Sequence, residues 1–532
     1  MEPSSVSGPA ESGRPRPRSS RRPISQARGP LAHQICEGLT EALIYAMVLF
    51  SPWAFGTTDP WAIRVMNFGG GVLGALLLAK WIVRWHTGFR PSRWSDPPET
   101  KGESAPPVTE PATRWLTRLL AALTVAILGF CGISAWNARV GIENSEAQSM
   151  VTFLEGISWL PRSYDQQATW FAFWTYLPLA LAFWATHDWL LGKTAVERRR
   201  ELGGEDENLP PGTRLDRLPA RLERLLWVLA LNGGLLATEA ILQRLSGTNK
   251  LLWLVRPLIN QTASSQFGPY AYRSNAAQYF NLVWPLSFGL WWVLRSQARG
   301  FAARAKRAGT GAHAILLPFT ILMAACPVIS TSRGGALVSV GLIFMSAGAL
   351  MMGARGGSRR LLPATLLTLA VALCLAGYLG WPQIKTRFEK ERVNLSGREV
   401  IYKNMRHVIS DFPWFGTGPG AFVSVYGPYR EGRYDVWDAY GHNDWLQTRM
   451  EWGAIGMALI VAALGMVPLK IAMARRTSVP WLLTTFCWLA LGGCLVHAIY
   501  DFPLQIHSIL FLFLLEAAIL FAHGARLLHP GK

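Results

Sequence analysis

The stretch LLPATLLTLAVALCLAGYLGW, residues 361–381, decides the fold class of this chain. It contains no charged side chain, and about 20 apolar residues in a helix are enough to cross the roughly 30 Å hydrocarbon core of a bilayer. Residues 504–525 form a second long apolar stretch, with Glu516 as its one acidic or basic residue apart from histidine. The same criterion, applied outward from these two, predicts twelve membrane-spanning helices, with an error of one or two, near 38–57, 61–83, 115–136, 168–191, 223–245, 275–294, 311–330, 334–353, 361–381, 452–471, 480–499 and 504–526.

The composition also favours a membrane protein. Of the 532 residues, 50 % are hydrophobic and 16 % are charged, whereas a soluble chain carries about 25 % charged residues. These values exclude a cytosolic globular enzyme, a disordered chain and a disulfide-rich secreted scaffold. We therefore expect an all-α, polytopic integral membrane protein with one long extracytoplasmic loop that contains amphipathic helices.

The formal net charge of +19 would suit a nucleic-acid-binding protein, but the Lys and Arg residues follow the positive-inside rule of membrane proteins. When the Arg-rich N-terminus is placed in the cytoplasm, the loops on that side carry most of the basic residues. The short outward loops carry few. We therefore expect no nucleic-acid partner, and we expect both termini in the cytoplasm.

The same topology divides the chain into segments. Residues 1–36, rich in Pro, Ser, Gly and Arg, cannot bury a core and are expected to form a disordered basic cytoplasmic tail. Residues 37–530 are expected to form the transmembrane domain, with a cytoplasmic linker at 86–114 and a large outward loop at 382–451.

The large outward loop is expected to carry function, because connections of this length in a compact protein are usually functional or disordered. Its composition is not that of a disordered segment. Two amphipathic helices are predicted in it, near 398–411 and 441–450, joined by Gly416-Thr417-Gly418-Pro419-Gly420.

A first candidate site is Ser330-Thr331-Ser332-Arg333-Gly334-Gly335, which separates two apolar spans at the outer side. A charged side chain near hydrocarbon is costly and usually faces a cavity or a partner. Arg333 would lie beside the amides of a helix N-terminus and the Ser332 hydroxyl, a setting that suits a phosphate anion. An arginine that only extends to the membrane interface is the alternative, but it would not need the hydroxyl and glycine neighbours.

Arg273 stands in a similar setting, in the segment Phe267-Gly268-Pro269-Tyr270-Ala271-Tyr272-Arg273-Ser274-Asn275 before the sixth span. Together, Arg273 and Arg333 could grip the two phosphates of a diphosphate. Tyr272 and Asn275 are the supporting candidates in this segment.

His442, in Tyr440-Gly441-His442-Asn443-Asp444, is the candidate base. The preceding glycine and the apolar positions that follow predict that it starts a helix. The helix dipole disfavours a positive charge at that end, which favours the neutral ring that a base requires. A histidine that only caps or packs is the alternative. Asn443 and Asp444 are further supporting candidates.

The outward carboxylates give no sign of a metal site. Asp435, Asp438, Asp444 and Asp501 are scattered along the sequence, and no Asp-x-Asp pair lies on the outer face. We therefore expect a mechanism that uses no metal and no other cofactor.

Four motifs occur in order between about residues 267 and 507. They are Ser332-Arg333-Gly334-Gly335; residues 394–422 with Gly397-Arg398 and Gly416-Thr417-Gly418-Pro419-Gly420; His442-Asn443-x-x-Leu446; and His497-x-x-x-Asp501-Phe502-Pro503-Leu504-Gln505. Together these motifs resemble the O-antigen ligase and polymerase superfamily.

The resemblance implies a metal-independent, inverting glycosyltransferase in the bacterial inner membrane, with its active site facing the periplasm. Its donor would be a glycan on a polyprenyl diphosphate such as undecaprenyl diphosphate, and its acceptor a hydroxyl of lipid A core or of a growing polysaccharide. By the motifs of the family, Arg333 and Arg273 would hold the diphosphate, and His442 would deprotonate the acceptor. The supporting residues would be Ser332, Tyr272, Asn275, Arg398, Asn443, Asp444 and Asp501.

Several alternatives stay open. An O-antigen ligase of lipopolysaccharide biosynthesis is favoured over a repeat-unit polymerase or a protein O-oligosaccharyltransferase, but no sequence motif identifies the acceptor pocket. A flippase or transporter of lipid-linked oligosaccharides is the alternative from another class.

The roles of some residues stay open as well. Arg398 and Arg406 could add to the positive charge around the phosphates, although a solvated face of a loop helix is the favoured interpretation. Five aromatic residues could stack on sugars: Tyr270, Tyr272, Tyr426, Trp437 and Tyr440.

Overall fold

The computed structural model describes residues 29–94, 111–144, 149–203, 218–305, 311–353, 392–431, 439–473 and 480–523, with isolated helical positions between 363 and 378. The expectations for residues 1–28 of the tail, for 95–110 of the linker and for most of the span at 361–381 lie outside the described residues. The prediction that the disordered tail extends to residue 36 is wrong, because the first helix already begins at Leu31. Asp435, Trp437 and Asp438 lie outside them as well.

The described chain is almost entirely helical. Its helices are α1 Leu31–Trp53, α2 Pro60–Thr87, α3 Pro111–Trp136, α4 Gln166–Leu191, α5 Ala195–Gly203, α6 Ala220–Ser246, α7 Arg273–Ala305, α8 Leu316–Ile329, α9 Arg333–Gly353, α10 Arg392–Asp411, α11 Phe422–Tyr426, α12 Asp444–Met473, α13 Trp481–His497 and α14 His507–His523. Between α3 and α4, the strands β1 Val140–Asn144 and β2 Ser149–Phe153 pair antiparallel. Apart from this hairpin, the described architecture agrees with an all-α membrane protein.

Eight helices of the described chain are long and apolar enough to cross a membrane, namely α1, α2, α3, α4, α6, α8 with its preceding turn, α9 and α12. Helices α13 and α14 are apolar but shorter. Helix α7 corresponds to the sixth predicted span but is not among the eight, because polar residues such as Gln278 and Asn281 lower its mean hydropathy. The count of twelve spans therefore stays a prediction.

Helix α7 is central in the bundle, since α6, α8, α9 and α13 all pack against it. Its Trp284 and Phe288 side chains are completely buried, and the Phe288 ring lies 5.3 Å from that of Phe486 on α13. The start of α7 is thereby held in the middle of one end of the bundle. We call the end at which α7, α9 and α12 begin the site end.

A buried ion cluster joins four helices at the opposite end. Lys80 of α2 lies 3.1 Å from Glu37 of α1 and 3.1 Å from Asp188 of α4. Arg84 donates two hydrogen bonds of 2.8 Å to Asp188, and Arg221 of α6 pairs with Glu37. Buried charges are tolerated when they are paired in this way, so the cluster holds α1, α2, α4 and α6 in one arrangement.

The two amphipathic helices predicted in the outward loop differ in their outcome. The helix predicted at 398–411 is observed as part of α10. The helix predicted at 441–450 is not separate, because it continues into the span at 452–471 to form α12. The two parts meet at Gly453, whose φ of 64° and ψ of −168° lie in a region that is essentially restricted to glycine. A Cβ at this position would overlap the Trp414 carbonyl group.

Replacing Gly453 with alanine is expected to destabilise the protein. The backbone conformation costs a non-glycine residue about 1–3 kcal/mol, and the overlap with Trp414 adds to this cost. Gly465→Ala on the same helix is the matched control, because a Cβ there would meet nothing within 4 Å and alanine favours a helix over glycine by about 1 kcal/mol. Thermal unfolding in detergent measures both variants. Equal melting temperatures would contradict the described bend.

Candidate active site

Asp501 is the centre of a polar cluster at the site end, in the connection between α13 and α14. Its side chain is 7 % exposed. One carboxylate oxygen lies 3.3 Å from His442 Nδ1 and accepts from the Phe502 amide at 3.1 Å. The other accepts from the Ser274 hydroxyl at 2.5 Å and from the Tyr272 hydroxyl at 3.3 Å. The cluster therefore joins the starts of α7 and α12 to the α13–α14 connection.

The Asp501 carboxyl group is ionised. Burial would raise its pKa, but the hydrogen bond with His442 and electrostatic attraction to His497, His442 and Arg398 outweigh burial and hold the pKa well below the usual range. Burial and the Asp501 carboxylate raise the pKa of Tyr272, so the Tyr272 phenol stays protonated. Because an ionised carboxylate can only accept hydrogen bonds, Tyr272 donates to it.

The same reasoning fixes the tautomer of His442. A neutral imidazole carries its hydrogen on one nitrogen only, and the partner of that nitrogen determines which one. Since Asp501 can only accept, His442 Nδ1 is the protonated nitrogen and Nε2 is the proton acceptor. The His442 side chain is 27 % exposed, which leaves it accessible to a substrate hydroxyl.

The structure changes the predicted place of His442 relative to the helix. Helix α12 begins at Asp444, and Asn443 caps it by accepting from the Leu446 amide at 2.9 Å. His442 precedes this cap with a φ of 50°, and its carbonyl accepts from the Tyr402 hydroxyl at 2.7 Å. The histidine is therefore just outside the helix and does not start it as predicted, and its contact with Asp501 orients the ring.

A second layer of buried polar groups lies behind Asp501. The Ser332 hydroxyl donates to Ser274 Oγ at 3.2 Å. His497 Nε2 lies 3.2 Å from the same Ser274 oxygen, and His497 Nδ1 lies 2.8 Å from Gln278 Oε1. All four side chains are at most 5 % exposed. This layer connects the start of α9 with α7 and the end of α13.

The two arginines predicted to bind phosphate, Arg333 and Arg273, begin helices that form this cluster, and the supporting candidate Arg398 approaches it. Arg333 is the first residue of α9 and directly follows Ser332. Arg273 is the first residue of α7, and its guanidinium donates to the Ser264 carbonyl at 2.8 Å. Arg398 of α10 donates to the Tyr500 carbonyl at 2.7 Å, next to Asp501. Arg398 therefore contacts the site and does not simply face solvent, while Arg406 is exposed.

Residues 318–461 match the O-antigen ligase family. The match runs from α8 into α12 and includes Arg333, Arg398 and His442, but it does not reach Arg273 or Asp501. No curated protein sequence matches the chain. The resemblance to the O-antigen ligase and polymerase superfamily is confirmed, and with the apolar helices it indicates a multi-pass bacterial inner-membrane protein of this type.

Arg244, which precedes the region that matches the O-antigen ligase family, is a positioning residue that sequence reasoning missed. It extends from the last turn of α6 and donates to the Ser330 carbonyl and to the Ala263 carbonyl, each at 2.7 Å. Its guanidinium also lies 5.6 Å from the Phe267 ring centre. Arg244 thus ties the turn before Arg333 to the loop before Arg273. Its place at the outer end of the fifth predicted span was the available signal.

Ser274, Gln278 and His497 were also not identified as site residues. His497 occurs in the fourth sequence motif, four residues before Asp501, and that spacing was the available signal for it. Ser274 and Gln278 had none beyond their proximity to Arg273. Their importance follows only from their hydrogen bonds with His497 and Asp501.

Two supporting candidates have structural contacts in this cluster. The Asp444 carboxylate accepts from the Leu504 amide at 2.8 Å, and its own amide donates to the carbonyls of Ala498 and Asp501. Asn275 is 5 % exposed, and its amide donates to the Tyr272 carbonyl at 3.0 Å. Both residues therefore position the backbone around Asp501.

The aromatic candidates for sugar stacking separate into two groups. Tyr272 and Tyr440 both stack on Phe502, with ring centres 5.3 Å and 4.3 Å apart, beside His442. Tyr270 and Tyr426 are buried, at 1 % and 3 % exposure. The prediction that these two could stack on a sugar is therefore wrong, because other protein groups already cover their rings.

Proposed function

We propose that this protein is a metal-independent, inverting glycosyltransferase of the O-antigen ligase type. It transfers a glycan from a polyprenyl diphosphate, such as undecaprenyl diphosphate, to an acceptor hydroxyl at the periplasmic face of the inner membrane. The observation that carries the proposal is the His442–Asp501 pair, since it leaves His442 Nε2 as a proton acceptor beside the starts of α7 and α9.

In the proposed reaction, His442 Nε2 removes the proton of the acceptor hydroxyl. The acceptor oxygen forms a bond to the anomeric carbon while the bond from that carbon to the diphosphate breaks on the opposite face, which inverts the configuration. The proton stays on His442, and the negative charge leaves on the lipid diphosphate. Asp501 stabilises the imidazolium that forms, as a carboxylate beside a catalytic histidine does.

Arg333 and Arg273 are proposed to bind the diphosphate, with Arg398 as a further cation. A diphosphate is already a good leaving group, so stabilisation of its charge matters more than acid catalysis. Guanidinium groups bind phosphate oxygens in a bidentate manner. Their interaction strengthens as charge develops on the leaving group, which favours the transition state over the bound donor.

The proposed function is tested by deletion of the gene and electrophoresis of the surface glycans. Long chains that accumulate on the polyprenyl carrier are the result expected for a ligase. Cores capped with a single repeat unit would indicate a polymerase, and unchanged glycans with unglycosylated proteins would indicate the protein-modifying branch. Repeat units that accumulate on the cytoplasmic face would indicate a flippase and would contradict transferase function.

Glycan transfer by the purified protein is expected to continue in EDTA. In the described part of the chain, no group of three or more His, Cys, Asp or Glu residues is placed to hold a metal ion, and the arginines supply the positive charge that a metal would otherwise provide. The assay compares initial rates with EDTA and with added Mg²⁺ or Mn²⁺. A rate that falls in EDTA and returns with either ion would show that the mechanism depends on a metal.

A further inference from the structure

A cavity of about 260 Å³ lies between α3, α4, α12 and α14. Its walls are almost entirely aliphatic and aromatic, with Leu120 and Leu179 on one side and Leu464 and Leu514 on the other. Several lining side chains, Leu464 and Leu510 among them, are only half-buried. The cavity is therefore an open cleft between candidate membrane-spanning helices, and we call it the α3/α12 cleft.

One end of the α3/α12 cleft lies at the candidate active site. Thr448 and Gln505 line this end, together with Leu504. The Leu504 amide donates to the Asp444 carboxylate at 2.8 Å, and the Asp444 amide donates to the Asp501 carbonyl at 3.2 Å. A molecule held in the cleft would therefore present its polar end beside the His442–Asp501 pair.

A polar group lies beyond the other end of the cleft, one helical turn past the lining residue Val467. On α12, the lining residues continue along one helix face to Lys470, which is 3 % exposed. Its ammonium group lies 3.5 Å from the Thr117 hydroxyl and 3.7 Å from the centre of the Phe521 ring. No carboxylate of the described chain lies within 4 Å of this ammonium group. The apolar lining therefore gives way to a buried cation at this end.

The cleft and the phosphate-binding arginines lie at opposite ends of one chain of contacts. Ser332, next to Arg333, contacts Ser274; Ser274 contacts Asp501; and Asp501 is joined through Asp444 to Leu504 at the cleft. His442 contacts Asp501, the middle member of this chain. None of the three arginines lines the cleft, so a lipid in the cleft reaches the base through the Asp444–Leu504 side and leaves the arginines to the donor.

The donor lipid has a different apolar surface available to it. Below Arg333, helix α9 exposes Leu337 at 73 % and Phe344 at 65 %. A polyprenyl chain whose diphosphate is bound at Arg333 can lie along this surface in the bilayer. The donor therefore does not need the α3/α12 cleft.

We propose that the α3/α12 cleft is the subsite that binds a hydrocarbon chain of a lipid acceptor, whose hydroxyl-bearing headgroup then lies beside His442. This inference rests on the proposed transferase function. Within a bilayer the hydrocarbon chain is already out of water, so the cleft stabilises it by close van der Waals packing and not by the hydrophobic effect. The main effect of the cleft is to hold the headgroup in a productive position beside His442.

The test uses the purified full chain in lipid nanodiscs, with a polyprenyl-diphosphate-linked glycan as donor. The two acceptors are lipid A core and the same core with its acyl chains removed. Ala463→Trp fills the cleft from α12, and Ala180→Phe fills it from α4, in case the first variant folds poorly. Val461→Trp, on the 48 % exposed outer face of α12, is the matched control.

The measured quantity is the ratio of kcat/KM for the acylated and deacylated acceptors. We expect this ratio to fall at least tenfold in Ala463→Trp and Ala180→Phe and to stay unchanged in Val461→Trp. An unchanged ratio in both cleft variants, with transfer retained, overturns the inference. So does a cleft variant that instead changes the preference between long-chain and short-chain polyprenyl donors. If the wild-type protein transfers glycan to neither acceptor, the proposed function itself fails, and the inference fails with it.

Discussion

Replacing His442 with alanine is expected to lower the rate of glycan transfer by about 10²- to 10⁴-fold, the usual contribution of a general base. Without His442, nothing accepts the proton of the acceptor hydroxyl, whereas the arginines that bind the donor remain in place. We therefore expect kcat to fall while donor binding is retained. The measurement is the initial rate of transfer by the purified variant with a polyprenyl-diphosphate-linked glycan.

His407→Ala is the matched control for this prediction, because His407 lies on the same side of the bundle but is exposed on α10. Its rate should equal that of the wild-type protein. Asp501→Asn should lower the rate as well, because an amide can donate to Nδ1 and thereby place the proton on Nε2. Full transfer by His442→Ala would show that the base has been assigned wrongly.

Replacing Arg333 is expected to weaken donor binding and slow transfer together, by about 10³-fold, as found when an arginine that stabilises a phosphate group is lost. Arg333→Lys should be almost as defective as Arg333→Ala, because lysine is a point charge and lacks the planar pair of donors that matches phosphate oxygens. Binding of the polyprenyl-diphosphate-linked glycan is measured directly, and the transfer rate is measured beside it.

Arg406→Ala is the control here, since Arg406 lies on the exposed face of α10 and its loss should change neither binding nor rate. Arg273→Ala and Arg398→Ala should show smaller defects of the same kind if they share the diphosphate. Normal donor binding by Arg333→Ala would refute the role of Arg333, and full activity of Arg333→Lys would show that charge alone is sufficient.

The segments that carry the candidate site could be found from the sequence, because each breaks an apolar pattern. Ser332-Arg333 interrupts two spans, and His442 lies in a polar stretch before a third. The contacts of these residues could not be found in this way. Ser274 contacts His497 across more than 200 positions of sequence, and Arg244 reaches Ser330 across 86. Such contacts depend on how α6, α7, α9 and α13 pack against each other, and local sequence patterns do not predict that packing.

The sequence by itself determined that the chain is a helical membrane protein. The length and hydropathy of an apolar segment are local properties, and they decide whether the segment can cross a bilayer as a helix. It also identified the residue types that suit phosphate binding and base catalysis. Only the tertiary structure decided that Asp501, 59 residues after His442 in the sequence, contacts its Nδ1 and leaves Nε2 as the proton acceptor. It also decided that Tyr270 is buried. The physical reason is that the state of an ionisable group depends on its neighbours in space, and those neighbours come together only when the helices pack.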